Sequence, residues 1–142
     1  FIYGNNQFKY SLYYAVELMS NNKSSIASSI FSEIFSKSLS VIELNRRVEI
    51  FAQIFSGADI ALENFQKIEK FSGVSKLNLN LQKIFIYWRL SEFKKSISLL
   101  EDLTLEYPHN LFLFVLLGQA YQSSGDQQNG QGDLVGADDV TV

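Results

Sequence analysis

The chain has 142 residues, of which 46% are hydrophobic and 19% charged, and its formal net charge is −3. This apolar content excludes a wholly disordered chain, and the weak negative charge argues against nucleic-acid binding, which needs a basic surface. Cysteine is absent, which excludes disulfides and thiolate metal sites. The longest apolar run, Leu111 to Leu117, is far shorter than the roughly 20 residues of a transmembrane helix, so we expect no membrane insertion.

Scarce glycine and proline favour a chain built of helices up to about residue 125. Glycine is rare before Gly118, Pro108 is the sole proline, and no stretch alternates strictly between apolar and polar residues as a half-buried strand would. Gly57 and Gly73 are expected to end helices, and Ser91 is expected to cap the start of one. About seven helices are predicted, in chain order, over residues 8–20, 24–37, 41–55, 58–71, 76–89, 92–107 and 110–124.

The composition changes at residue 126. The segment 126–142 contains four aspartates and three glycines and no aromatic residue. Such a segment cannot bury enough apolar surface to order itself. We therefore predict a helical domain over 1–125 and a flexible or partner-docked acidic tail over 126–142.

Pro108 and His109 are predicted to form a turn between two helices, and not a catalytic site. Proline cannot continue the helix that it follows. His109 is the sole histidine, so a nucleophilic dyad or a common zinc site lacks its parts. No phosphate-binding glycine motif occurs either. We expect no enzymatic activity, no metal and no cofactor.

A repeat of about 34 residues connects the second, fourth and sixth predicted helices. Each has a small residue followed by large apolar residues four and seven positions later. The small residues lie 34 and then 35 positions apart, a spacing typical of stacked helical hairpins. The three series are Ala27, Phe31 and Ile34; Ala61, Phe65 and Ile68; and Ser96, Leu100 and Leu103.

This period resembles the tetratricopeptide repeat (TPR), most clearly over residues 77–125. There the chain has Phe93, Ser96 and Pro108, followed by the Leu117–Tyr121 stretch with Gly118 and Ala120. Ile84 departs from the family pattern, which prefers glycine at its position. The resemblance implies an all-α fold in which antiparallel hairpins stack as a right-handed α-solenoid. Another helical-hairpin solenoid or an irregular helical domain is the alternative.

The resemblance also implies a groove that the first helix of each hairpin lines. Its surface would be aromatic with a few amides, which suits an apolar peptide or helix of a partner protein. We expect an adaptor or scaffold subunit of a multiprotein assembly, cytoplasmic with the nucleus as the alternative. A helical domain that binds an apolar small molecule or lipid is the alternative function. The predicted groove residues are Arg47, Phe51, Asn78, Leu81, Phe85, Trp88, Phe112, Val115, Gln119 and Gln122.

The first twenty residues carry more aromatic side chains than the repeat explains. Exposed aromatic residues of this kind favour protein contacts. We therefore predict a homodimer or partner interface formed by Phe8, Tyr10, Tyr13 and Tyr14.

Overall fold

The structure, a computed structural model, describes residues 4–71 and 73–129. Within these residues every regular element is an α-helix, seven in all, which confirms the predicted all-α class. In chain order they are α1 (Gly4–Ser20), α2 (Ser24–Ile34), α3 (Val41–Ile54), α4 (Ala58–Ile68), α5 (Lys76–Arg89), α6 (Phe93–Glu106) and α7 (Leu111–Asn129).

The helix boundaries differ most from the prediction at α1, which begins at Gly4 and not at residue 8, and at the ends of α2, α4 and α7. Helices α2 and α4 end three residues before their predicted ends. Phe35 and Phe71 continue the apolar pattern of these helices, but they lie just after the helix ends, and each packs against Phe31. Helix α7 continues past Gly125 to Asn129, since one glycine costs a helix only about 1 kcal/mol. The predicted tail thus begins within α7, and residues 130–142 lie outside the described part of the chain.

The chain divides into two compact units, residues 1–90 and 91–142. In the first unit, α1 packs against α2 and α3, α3 packs against α4 and α5, and α4 packs against α5. In the second unit, α6 packs against α7 across a turn that holds Pro108 and His109, as predicted, and His109 is exposed there. In each unit the helices pack through their apolar faces.

A cluster of phenylalanine rings forms the core of the first unit. Phe51 of α3 lies at its centre, with ring centroids 4.9 Å from Phe65, 5.6 Å from Phe8 and 6.2 Å from Phe35. The contacts with Phe8 and Phe65 are edge-to-face, the geometry that aromatic quadrupoles prefer. One side chain therefore joins α1, the end of α2 and α4.

The repeat predicted from the sequence coincides with fully buried positions. Ala27, Ala61 and Ser96 have no exposed surface. The large residues four positions later are equally buried: Phe31, Phe65 and Leu100. A small residue lets a neighbouring backbone approach closely, and a large one fills the space beside it, so burial at both positions is the physical basis of the repeat.

The helix ends repeat with the same period. Asn22, Ser56 and Ser91 have left-handed backbone angles, φ of 61°, 62° and 58°, and lie 34 and 35 residues apart. After α1 and α3 the chain closes in the same way, through bonds of 2.8 Å from the Lys23 N–H to the Leu18 carbonyl and from the Gly57 N–H to the Ala52 carbonyl.

The left-handed residue at 91 explains why one predicted cap is wrong. Ser91 was expected to cap α6, but the N-cap position belongs to Glu92, which makes no side-chain capping bond. Ser91 follows the C-cap residue of α5 and is left-handed, whereas an N-cap residue takes an extended backbone. The caps of α3 and α5 are formed by Ser40, in a capping box with Glu43, and by Ser75.

The central position of Phe51 gives a stability prediction for the first unit. Phe51→Ala should lower the free energy of unfolding by about 3–5 kcal/mol, because it leaves a cavity among the rings. Urea unfolding followed by the fluorescence of Trp88, the single tryptophan, reports on this unit. Tyr13→Ala, at an exposed aromatic residue of α1, is the control and should change stability by less than about 1 kcal/mol. Equal effects of the two changes would contradict a core role for Phe51.

Candidate functional site

The predicted groove draws six residues from the first unit and four from the second, and each group is described within its own unit. In the first unit Phe51 is fully buried, while Phe85 and Asn78 are 6% and 9% exposed. Their partner-binding role stays a prediction, and in this structure their side chains lie in the interior. The remaining three are partly exposed: Arg47, Leu81 and Trp88.

The packing of α5 on two helices explains why Phe85 is buried. Because α3 and α4 both contact α5, its apolar residues are covered on more than one side, with Ile84 and Ile86 fully buried as well. The ring of Trp88 lies 6.1 Å from that of Phe85 and remains partly exposed. Trp88 and the neighbouring Tyr87 are therefore the aromatic residues of α5 that remain partly exposed.

Two buried amides connect α5 to the segment between α2 and α3. The Gln82 Nε2 group donates to Asn78 Oδ1 at 2.6 Å, and Asn78 Nδ2 donates to the Lys37 carbonyl. Gln82 is fully buried, and its Oε1 atom has no hydrogen-bond partner among the described residues. Asn78 thus uses its amide within the fold, where it holds the α2–α3 connection.

Helix α7 of the second unit is apolar on two sides. Leu113, Leu116 and Ala120 are buried, while the opposite side stays exposed. Of the four predicted groove residues here, Val115, Gln119 and Gln122 are exposed and Phe112 is partly so. The structure adds three large exposed residues that the prediction missed: Leu111 and Phe114, for which the all-apolar run 111–117 was the signal, and Tyr121.

The aromatic residues of α1 separate into an inward and an outward group. Phe8 is 5% exposed and packs on Phe51, so it belongs to the core. Tyr10, Tyr13 and Tyr14 are 69%, 55% and 54% exposed and share one face of the helix at spacings of three and four. We call these three residues the tyrosine ridge. It is the part of the predicted N-terminal interface that is open to a partner.

A charged cleft of about 580 Å³ lies where α1, the end of α2 and the start of α3 meet. The sequence offered no signal for it, because it assembles from three separate stretches of the chain. Three basic and two acidic side chains line it beside the ring of Phe8: Lys37, Arg46, Arg47, Glu33 and Glu43.

Arg47 is the partly buried cation of this cleft. Its guanidinium carbon lies 3.9 Å from the centroid of the Phe8 ring, and Nη1 donates to the Ile34 carbonyl at 2.8 Å. That carbonyl is one of the last of α2, which the helix itself cannot satisfy. Burial lowers the pKa of Arg47 to about 10, against a smaller opposing effect of Glu43, so the group stays charged at neutral pH.

Tyr121 and Glu101 connect α7 to α6 at the surface of the second unit. The Tyr121 hydroxyl donates to Glu101 Oε2. This hydrogen bond raises the pKa of the Tyr121 phenol above its ordinary value. Because the pair is exposed, it contributes little to stability, and it defines which way the Tyr121 ring lies on the surface of α7.

No other chemistry stands out in the described residues. Among them, no group of three or more His, Cys, Asp or Glu side chains could hold a metal ion, and no helix is long and apolar enough to cross a membrane. Comparison of the chain with known protein families, curated proteins and solved structures gave no significant match.

The role of Asn78 within the fold can be tested by its removal. Asn78→Ala should destabilise the first unit by about 1–3 kcal/mol, because the Lys37 carbonyl and the Gln82 amide both lose a buried partner. Asn45→Ala, at an exposed position of α3, should be neutral or slightly stabilising, since alanine is the better helix former. Urea unfolding monitored by Trp88 fluorescence measures both. An unchanged stability of Asn78→Ala would show that the amide pair contributes nothing.

Proposed function

We propose that the chain is a protein-interaction module and that α7 receives an apolar helix or extended segment of a partner protein. The observation that carries this proposal is the exposed apolar side of α7. Leu111 and Val115 are 76% and 56% exposed, although the opposite side of the same helix is already buried. A helix that is apolar all round is normally covered on all sides.

The energetics favour a partner that also makes contacts outside this face. Covering a Leu, Val or Phe side chain contributes about 1.5–3 kcal/mol when the burial is complete. Association itself costs roughly 4–15 kcal/mol, and a stable interface buries about 800 Å² on each partner. Leu111, Phe114 and Val115 would therefore act as the anchor of a larger interface.

The periodic features support an architecture of TPR-like hairpins, an adaptor or scaffold built as a right-handed solenoid. Two features recur at 34 and 35 residues: the buried small residues beginning with Ala27, and the left-handed residues beginning with Asn22. Repeat proteins of this type act by presenting preformed surfaces to partners. This matches the exposed apolar side of α7.

The alternative, an apolar small molecule or lipid as ligand, has less support. Ligand pockets of that kind are mostly apolar. The cleft beside Arg47 has charged side chains at five of its eleven lining positions. A protein partner, which can offer charged and apolar groups together, suits it better.

Site-specific photo-crosslinking tests the proposed role of α7. A benzophenone amino acid in place of Phe114 should give discrete crosslinked products in the cells that contain the protein, whereas the same group at Asp102, an exposed residue of α6, should not. Adding Val115→Glu should reduce the products several-fold, because the partner would have to bury a charge. Products that are equal at both positions, or unaffected by Val115→Glu, would refute the proposal. A product of twice 16.2 kDa would identify the partner as a second copy.

We also propose that the tyrosine ridge supports self-association. Tyrosine offers a large, rigid contact area with a polar end, which is typical of interface anchors. The protein should sediment partly as a dimer at several hundred micromolar, and the triple change of Tyr10, Tyr13 and Tyr14 to Ser should leave it monomeric. Ile42→Ser removes an equally exposed apolar residue from α3 and should have no effect. A monomeric wild-type protein at this concentration would exclude the proposal.

A further inference from the structure

The guanidinium of Arg47 is charged, partly buried and, within the described part of the chain, without an ion pair. One nitrogen, Nη1, donates to the Ile34 carbonyl, and the guanidinium carbon lies over the ring of Phe8. No carboxylate of the described residues forms a salt bridge with it. Charged groups that are removed from water are normally paired, because an unpaired one loses hydration without compensation.

The nearest acidic residue on the same helix is already engaged. Glu43 lies one turn before Arg47, and its Oε1 atom accepts from the N–H of Ser40 at 3.3 Å and from its hydroxyl at 3.2 Å. These bonds form the capping box that starts α3. Moving Glu43 towards Arg47 would break that cap, which is typically worth about 1 kcal/mol. Among the described residues Arg47 donates to the Ile34 carbonyl alone, so its remaining donors can serve a group from outside.

The charges of the cleft indicate which kind of group fits. Lys37, Arg46 and Arg47 exceed Glu33 and Glu43 by a single positive charge. A group with one negative charge is complementary to this single excess positive charge. A phosphate carries a larger negative charge and would be repelled by Glu33 and Glu43. Phe8, Ile34 and Leu39 also line this cleft, and of these Leu39 is partly exposed and offers apolar surface to a ligand. A carboxylate beside an apolar side chain matches both features.

We infer that this cleft binds an aspartate or glutamate side chain of a partner polypeptide, with an adjacent apolar residue against the partly exposed Leu39. The carboxylate would accept from the free edge of the Arg47 guanidinium, a geometry in which arginine forms two parallel hydrogen bonds. Phe8, which packs on Phe51, and the Ile34 carbonyl position the guanidinium before the partner arrives. This inference rests on the proposed interaction function and adds a second, charged contact in the first unit.

The test uses the whole chain and two peptides that differ in one group. The peptides are acetylated and amidated Gly-Leu-Asp-Leu-Gly and the same sequence with Asn for Asp. Titration followed by the NMR signals of the Arg47 side chain and the Phe8 amide should show the Asp peptide binding at least about tenfold tighter, as expected for a charge-assisted hydrogen bond. The difference should shrink in high salt, because the cleft opens to solvent. Equal affinity of the two peptides would overturn the inference without any mutation.

Variants of the cleft separate Arg47 from its neighbour. Arg47→Gln should remove the preference for the Asp peptide, while Arg46→Gln, which takes one exposed positive charge from the same cleft, should reduce that preference by a smaller factor. Arg47→Lys keeps the charge without the paired donors and should weaken binding by a smaller factor. Equal losses for Arg46→Gln and Arg47→Gln would point to a diffuse charge effect and refute the specific site.

The two proposals fail separately. If crosslinking at Phe114 succeeds and the peptides do not discriminate, the interaction function stands and the carboxylate site is wrong. If the peptides discriminate and α7 gives no crosslink, the cleft stands as a peptide site and the role of α7 is wrong. Inorganic phosphate, titrated in the same way, should not compete with the Asp peptide. Competition at similar concentration would show a general anion site and overturn the assignment to a carboxylate.

Discussion

The packing of phenylalanine rings around Phe51 is the constraint on which the first unit depends. Its edge-to-face contacts with Phe8 and Phe65 bring together helices α1, α3 and α4, and Phe35 adds the end of α2. These rings exclude water and fix the distances between the helices. They also fix the position of Phe8, and with it the place of the Arg47 guanidinium in the cleft. The core and the charged cleft thus share one structural origin.

The surfaces that this packing leaves differ in chemistry. The tyrosine ridge of α1 combines aromatic area with hydroxyl groups, the cleft beside Arg47 is charged, and the exposed side of α7 is largely aliphatic around Leu111 and Val115. We propose a different contact for each: a polar aromatic interface, a carboxylate and an apolar anchor. A module that binds through several such surfaces can gain affinity from their combination, even where each contact alone is weak.

The recurrence of buried small residues and left-handed residues at the same period has a common physical cause. A hairpin must turn at a fixed point relative to the place where its helices touch most closely. Ala27 follows Asn22 by five residues, and Ala61 follows Ser56 by the same five. Serine in a left-handed conformation costs more than glycine would, and the closing bond after α3 compensates part of that cost. The repeat is therefore present in the backbone angles at the helix ends as well as in the sizes of the buried side chains.

The sequence by itself determined the helices, their order and most of their boundaries, because periodicity and turn residues act over a few positions. It also predicted the small and large residues of the repeat, which proved fully buried at Ala27 and Phe65. Tertiary structure alone decided which apolar residues face a neighbour: Phe51 and Phe8 lie inside, whereas Val115, on an equally apolar helix, lies outside. The cleft beside Arg47 likewise could not be predicted from local sequence patterns, because residues of α1, the end of α2 and α3 meet only when the rings of the core have packed.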